Sequence, residues 1–195
     1  MRTETVDKSE HIVQAAQMLF AQFGLRKVTT DDIAREARVS KATVYKYFRN
    51  KSEIFNRVVE GEAAAILDKI RQAVNAQTDT TERLRAHLTV RIEEVRSFVN
   101  FFRVTHQSWG DYWPHIDHIR RSFLDQEQEI VAGILRDGVE AGEIRVPDVN
   151  QVALVLILAL ASTEYQWSLE EERFSLHELV DLMLKMMIEG IRKQK

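Results

Sequence analysis

Thr29-Thr30-Asp31-Asp32-Ile33-Ala34-Arg35-Glu36-Ala37-Arg38-Val39-Ser40-Lys41-Ala42-Thr43-Val44-Tyr45-Lys46-Tyr47-Phe48-Arg49-Asn50-Lys51 decides how the chain reads. Two short helical patterns meet there at a tight break. Thr29 or Thr30 caps the first, and Asp31 and Asp32 occupy its first turn, where negative charge suits the helix dipole. Ile33, Ala34 and Ala37 give it one small apolar face. Ser40 offers a second N-cap, and Val44 and Phe48, four apart, form the buried side of the next helix. Lys41, Thr43, Tyr45, Lys46 and Tyr47 are left as an exposed side of cations, hydroxyls and rings. A two-turn helix that exposes such groups while burying two residues is a surface to be read by a partner. A helix-turn-helix whose second helix reads DNA fits that pattern.

The charge distribution points the same way. Residues 1–51 hold ten Lys/Arg against six Asp/Glu, a balance of +4, which leaves −7 for the remainder of a chain whose total is −3. A basic head on an acidic body implies a polyanion for the head alone. Just upstream, Ile12, Ala15, Ala16, Leu19, Phe20 and Phe23 recur at helical spacing from a start near Asp7 or Ser9, and Gly24 supplies a stop. The head is expected to close on Ile12, Leu19, Phe20, Ile33, Val44 and Phe48.

Downstream the chain reads as helix throughout. Asn50 caps a long helix with Glu53 three residues on, running through Ile54, Phe55, Val58, Val59, Ala63, Ile66, Leu67, Ile70 and Val74 to about Gln77. Lys51 sits in its first turn, where a cation opposes the dipole, a misfit that a phosphate contact would explain. A helix with Leu84, Leu88, Ile92 and Val95 follows. The next is expected from about His115 to Val139, stopped by Gly138 and Gly142, and the last two from Asp148 and from Ser175. Those two are apolar on nearly every side, which requires burial on two sides and predicts a twofold four-helix-bundle dimer through Val152, Leu156, Leu160, Leu179, Met183 and Met187.

Composition narrows the class. Apolar residues make up 45% and charged residues 29%, with two prolines, seven glycines and no cysteine. There is no disulfide framework and no thiolate chemistry, as suits a reducing cytoplasm. The N-terminal residues lack the apolar run of a signal peptide, and the longest apolar run, Val152 to Ala161, is too short to cross a bilayer, so no membrane partner is expected. The chain shows no phosphate-cradling glycine loop, no His-Glu-x-x-His and no nucleophile elbow. Glu127 and Glu129, like Glu170 to Glu172, read as carboxylates on solvated faces. No catalytic residue, cofactor or metal is expected; His115 and His118 have the spacing of a metal pair but sit among charged neighbours as solvated histidines.

From Ile12 through Ala16, Phe20 and Gly24 to the run Thr29–Glu53, the chain resembles the N-terminal domain of TetR-family transcriptional regulators. The shared features are a hydroxyl-rich start to the second helix, a Val-Ser turn, the aromatic run Tyr45-Lys46-Tyr47-Phe48, and a lysine soon after. The resemblance implies an all-α chain: a three-helix DNA-binding domain over residues 1–52 and a helical effector-binding and dimerisation domain over 53–195, with the helix from about 51 to 77 as connector. It implies a homodimeric repressor of a palindromic double-stranded DNA operator, released by a small hydrophobic or aromatic effector. Lys41, Ala42, Thr43 and Tyr45 fall where the family meets base edges; Thr30, Lys46, Tyr47 and Lys51 fall where phosphates are met, with Ser40 at the helix start. Lysine suits guanine, a small residue at 42 permits close approach, and tyrosine hydroxyls suit phosphate oxygens. The plain alternative for the tyrosines is packing against the neighbouring helices.

The effector end is read from its aromatics: Phe98, Phe101, Phe102, His106, Trp109, Tyr112, Trp113 and Phe123, with Glu164, Tyr165 and Trp167. An aromatic-lined cavity with few polar groups takes a planar or hydrophobic ligand; the competing reading makes most of these rings ordinary core. A C-terminal domain that docks another protein instead of a small molecule is the rival function, and a helical carrier or enzyme the third.

Overall fold

A computed structural model describes residues 2–98, 100, 113–169 and 175–191. Eight helices occur among them: α1 (Arg2–Phe23), α2 (Thr30–Glu36), α3 (Lys41–Tyr47), α4 (Lys51–Asn75), α5 (Thr80–Ser97), α6 (Trp113–Glu140), α7 (Val149–Leu169) and α8 (Leu176–Ile191). No described helix is long and apolar enough to cross a membrane. Two compact units divide the chain, and α4 and α6 each run through both. The first takes in Met1–Ala64 and Phe98–Arg120, the second Ala65–Ser97 and Arg121–Lys195. This division differs from a boundary at residue 52, because the N-terminal half of α4 packs with the head: the Phe55 ring meets Phe20 edge-on at 5.3 Å.

The first unit's core is built from Ile12, Ala16 and Phe20 of α1, Val28, Ile33 and Ala34, then Val44 and Phe48, and Ile54, Phe55 and Val58 of α4, all buried. Leu19 is only half-buried. Phe23, one turn on, stays half in solvent. A polar contact also lies inside this unit. Buried Glu62 of α4 accepts from Gln17 Nε2 at 3.0 Å and from Asn100 Nδ2 at 2.8 Å, and the same Asn100 amide also donates to the Gln17 carbonyl at 3.1 Å. His118 is exposed and faces Glu60 at 3.8 Å, while the side chain of His115 lies outside the described residues.

In the second unit, Ile66, Leu67, Ile70 and Val74 of α4 join Leu84, Leu88 and Ile92 of α5, Phe123, Val131, Ile134 and Leu135 of α6, Ala153, Ile157 and Leu160 of α7, and Leu179, Val180 and Leu184 of α8 as buried apolar residues. An ion pair between Arg85 and Asp181 ties α5 to α8. The last two helices keep one apolar side outside. Leu154, Val155 and Leu158 on α7 and Leu182 and Met186 on α8 are all exposed, Val155 at 64% and Met186 at 69%. This corrects the expected interface register. Leu160 and Leu179 are buried within the single chain, at 1% and 4%, while Val152, Leu156, Met183 and Met187 are intermediate. With apolar residues all around both helices, the sequence pattern does not mark which side turns inward.

Gly138 does not stop α6; it lies within the helix, and Gly142 makes the stop. Gly142 takes φ +73°, its N–H bonds to the Val139 carbonyl at 3.1 Å, and the Glu143 N–H bonds to the Gly138 carbonyl at 2.9 Å. That is a Schellman ending. Gly138 serves a close approach instead: a Cβ there would meet Thr80 Oγ1 at 2.6 Å and Thr80 Cγ2 at 2.9 Å. Thr80 is buried and β-branched, so rotating χ1 exchanges one clashing atom for another. Gly138→Ala is therefore expected to lower stability by about 1–2 kcal/mol despite alanine's better helix propensity. Gly133→Ala on the same helix meets nothing within 4 Å and is expected to raise stability by up to ~1 kcal/mol. Denaturant titration of both variants reads the opposite signs.

Candidate nucleic-acid interface

α2 and α3 are seven residues each, too short to persist alone, and their ends are fixed by side chains. At the start of α2, the Thr29 hydroxyl accepts from the Asp32 N–H at 3.2 Å while Asp32 Oδ2 accepts from the Thr29 N–H at 2.9 Å, a reciprocal capping box. The Thr29 hydroxyl also donates to Asp32 at 2.6 Å, and these bonds, side chain first, with Arg35 nearby, hold the Asp32 carboxyl below its ordinary value. At the start of α3, the Ser40 hydroxyl accepts from the Thr43 N–H at 3.1 Å. Ser40 is thus engaged as an N-cap, with Thr43 Oγ1 a further 2.8 Å from its hydroxyl.

Between the two helices the chain turns through Arg38 at φ +54°, the one described residue other than glycine with positive φ. The turn repeats the bonding at the end of α6: the Arg38 N–H reaches the Arg35 carbonyl at 3.2 Å and the Val39 N–H reaches the Ala34 carbonyl at 2.9 Å. An L-residue in that conformation is strained by about 1–2 kcal/mol. Arg38→Gly is expected to raise the stability of the protein by about 0.5–1 kcal/mol, after the extra freedom glycine gives the unfolded chain; thermal melting reads it.

Beyond this turn, Lys41, Ala42, Tyr45 and Lys46 are exposed, Thr43 and Tyr47 half-buried, and Val44 and Phe48 buried. The plain packing reading of Tyr45 does not describe it, since it is 49% exposed. Two of the outward side chains already have partners. Lys41 Nζ donates to Asp31 Oδ2 at 2.9 Å, which raises the ammonium's pKa above its ordinary value. The Tyr45 hydroxyl lies 3.3 Å from the Thr30 hydroxyl. Each contact joins the first turn of α2 to α3, so the outward groups are arranged before any partner arrives.

Lys51 has a different engagement from the phosphate contact expected of it. Its ammonium donates to the carbonyls of Leu25 and Val28, both at 2.7 Å. It pins the loop between α1 and α2, leaving one proton for any further acceptor. The dipole misfit that marked this lysine is answered by those two carbonyls. Asn50 and Glu53 behave as caps, the Asn50 side chain accepting from the Glu53 N–H at 2.8 Å and Glu53 Oε2 from the Arg49 N–H at 2.6 Å.

Of the expected effector residues, Phe101, Phe102, His106, Trp109 and Tyr112 lie outside the described residues, as do the side chains of Trp113, Glu164, Tyr165 and Trp167. Phe98 is half-buried in the first unit. Phe123 is fully buried in the second unit, beneath the Arg91 guanidinium at 5.0 Å. Glu127 overturns its reading as a solvated carboxylate: it is 0% exposed and faces Arg91 and His87, whereas Glu129 is exposed and paired with Arg136. Spacing carried the signal, because Glu127 stands four residues from both Phe123 and Val131 on the apolar stripe of α6.

Comparison with known proteins matches both parts of the chain. Residues 12–58 match the model of the tetR family of bacterial regulatory proteins, and residues 77–191 that of the tetracyclin repressor-like C-terminal domain. The chain is similar to the fatty acid metabolism regulator protein of Bacillus subtilis, with 23% identity covering 96% of this chain and 97% of that one. Its fold is similar to a transcriptional regulator from Cytophaga hutchinsonii (TM-score 0.77, 25% identity, 94% and 98% of the two chains). It is also similar to the transcriptional regulator FadR from Bacillus subtilis in complex with stearoyl-CoA (TM-score 0.69, 22% identity, 94% and 99%). With both of its parts matched, the chain belongs to the tetR family of transcription regulators, helix-turn-helix DNA-binding proteins and not enzymes.

Proposed function

We propose that the protein is a homodimeric repressor that holds a palindromic operator through two heads and is released by a small hydrophobic or aromatic effector bound within residues 53–195. One observation carries the operator reading: α3 buries Val44 but presents Lys41, Ala42, Tyr45 and Lys46 to solvent on a helix whose start is fixed by Ser40. In the proposed complex Lys41, Ala42, Thr43 and Tyr45 meet base edges, and Thr30, Lys46, Tyr47 and the remaining proton of Lys51 meet phosphates. The exposed apolar sides of α7 and α8 support a twofold dimer, which places two recognition helices on one duplex about a DNA turn apart. The full-length likeness to a fatty acid metabolism regulator supports an effector with an apolar chain. A regulator of this kind works on the chromosome, in the cytoplasm.

Coupling runs through α4, whose 25 residues extend from the head into the second unit. An effector that weakens operator binding by a given factor is itself bound more weakly by that factor on the operator. The test is selection of a duplex from a random pool, followed by titration of the selected operator. Lys41→Ala is expected to lower operator affinity by about 1–3 kcal/mol and to relax preference at one base pair, and Tyr45→Phe by about 1 kcal/mol, with melting temperatures unchanged. Wild-type affinity in both variants removes α3 as the reading surface.

A further inference from the structure

Among the described residues, three ionisable side chains of the second unit are buried: His87 at 2% exposure, Arg91 at 3% and Glu127 at 0%. His87 and Arg91 stand four apart on α5, among Leu84, Leu88 and Ile92, and Glu127 follows Phe123 by four on α6. Glu127 Oε1 lies 2.7 Å from Arg91 Nε and 3.2 Å from His87 Nε2. Both approaches are close enough for charge attraction but off the alignment of a hydrogen bond. Oε2 has no donor among the described residues. Burial pushes the carboxyl pKa up, but the Arg91 charge and the nearby His87 outweigh it, so the group is held below its ordinary value, as carboxylate.

A buried ion pair is stable as architecture when further hydrogen bonds satisfy its remaining lone pairs. This one leaves a desolvated carboxylate oxygen unmet, and such an oxygen gains most from a donor brought in from outside. Charge decides which donor. The Glu127–Arg91 pair has no net charge, so a charged head of either sign brings a desolvation cost that the pair does not repay, while a neutral hydroxyl or amide N–H brings a far smaller one. The buried neighbours within four residues of Arg91 and Glu127 along α5 and α6, Leu88, Ile92, Phe123 and Val131, are hydrocarbon, the complement of an apolar body.

We propose that Glu127, steadied by Arg91 and His87, is the polar reading point of the effector site, and that it selects amphiphiles whose head is a neutral hydrogen-bond donor over those with charged heads. This rests on the effector-responsive reading above and specifies it. Phe123 supplies the ring beneath Arg91 that keeps the guanidinium in place.

The test uses four ten-carbon probes that differ only in the head: decan-1-ol, decanamide, decanoate and decylamine. Each is titrated calorimetrically into the full-length protein, wild type, Glu127→Gln and the double variant Arg91→Met/Glu127→Leu. The double variant removes both charges, so folding is not compromised by a stranded arginine. Wild type is expected to bind the alcohol and the amide roughly tenfold or more tightly than the acid and the amine, and both variants to lose that preference. Equal alcohol affinity in wild type and both variants overturns the proposal, as does a wild-type preference for decanoate, or no binding of any probe to wild type. Operator titrations run alongside separate the two claims. A compound that releases wild type and both variants equally removes Glu127 as the reading point and leaves the effector reading standing; if no compound of any charge releases the operator, the effector reading itself fails.

Discussion

Arg91→Met, with Glu127 left in place, is expected to lower the unfolding free energy by about 3–5 kcal/mol, because it strands a carboxylate inside the second unit without its cation. The double variant Arg91→Met/Glu127→Leu is expected to recover most of that loss, since the ion pair is no more stable than well-packed hydrocarbon of similar volume. Dependence on pH gives the result its signature. In the wild type the Glu127 carboxyl titrates below its ordinary value of 4.5, so its contribution to stability is present above that value and is lost as pH falls through the depressed one. Without Arg91, burial is opposed by His87 alone, so the value rises relative to that of the wild type. The stability that the carboxylate contributes above its titration range is correspondingly smaller in the variant. The stability gap between wild type and Arg91→Met should therefore widen from about pH 4 to pH 7, measured by urea unfolding at each pH. A gap that is constant with pH means that Glu127 does not titrate between these states.

Leu158→Glu combined with Met186→Glu is expected to convert the protein to a monomer and to reduce affinity for the full operator by about 10²–10⁴-fold. Both side chains are at least half exposed, Leu158 at 50% and Met186 at 69%, so neither change should disturb the fold of one chain beyond about 0.5 kcal/mol. In a dimer they would place like charges in an apolar contact. The large effect on DNA arises because the second head then binds from solution instead of at the concentration its partner imposes. Binding to a single half-site should change little, which separates lost dimerisation from a damaged head. Sedimentation equilibrium and operator titration together decide it. A variant that remains dimeric shows that the exposed sides of α7 and α8 are not the interface.

The head was legible because its signals are local. The cap at Ser40, the spacing of Val44 and Phe48, and the stop at Gly24 are all set within a few residues, and the structure follows them. What depended on partners far along the chain was less so. The Lys51 ammonium turns to carbonyls more than twenty residues earlier, and no helix rule names them. Gly138 looked like a stop because glycines usually are; it is a contact with Thr80, fifty-eight residues away in sequence. Glu127 looked solvated because carboxylates usually are, although its place on the Phe123–Val131 stripe already argued otherwise. For α7 the difficulty lay in the pattern itself. A helix apolar on all sides gives no preferred direction, so the inward choice of Ala153, Ile157 and Leu160 came from the neighbours they meet.

The pairing of Lys41 with Asp31 bears on how tolerant the operator can be. A lysine with no partner in the free protein lets the duplex release a condensed counterion when it reaches DNA, and it has no partner of its own to fall back on when it meets the wrong base. Lys41 instead exchanges one partner for another. Facing a mismatched base, it returns to Asp31 at 2.9 Å, so a mismatch costs the lost base contact without an orphaned charge. In the proposed complex that base pair is accordingly a graded position, where natural half-sites drift from the consensus at modest cost, and it contributes less than a full ion to the salt dependence of binding.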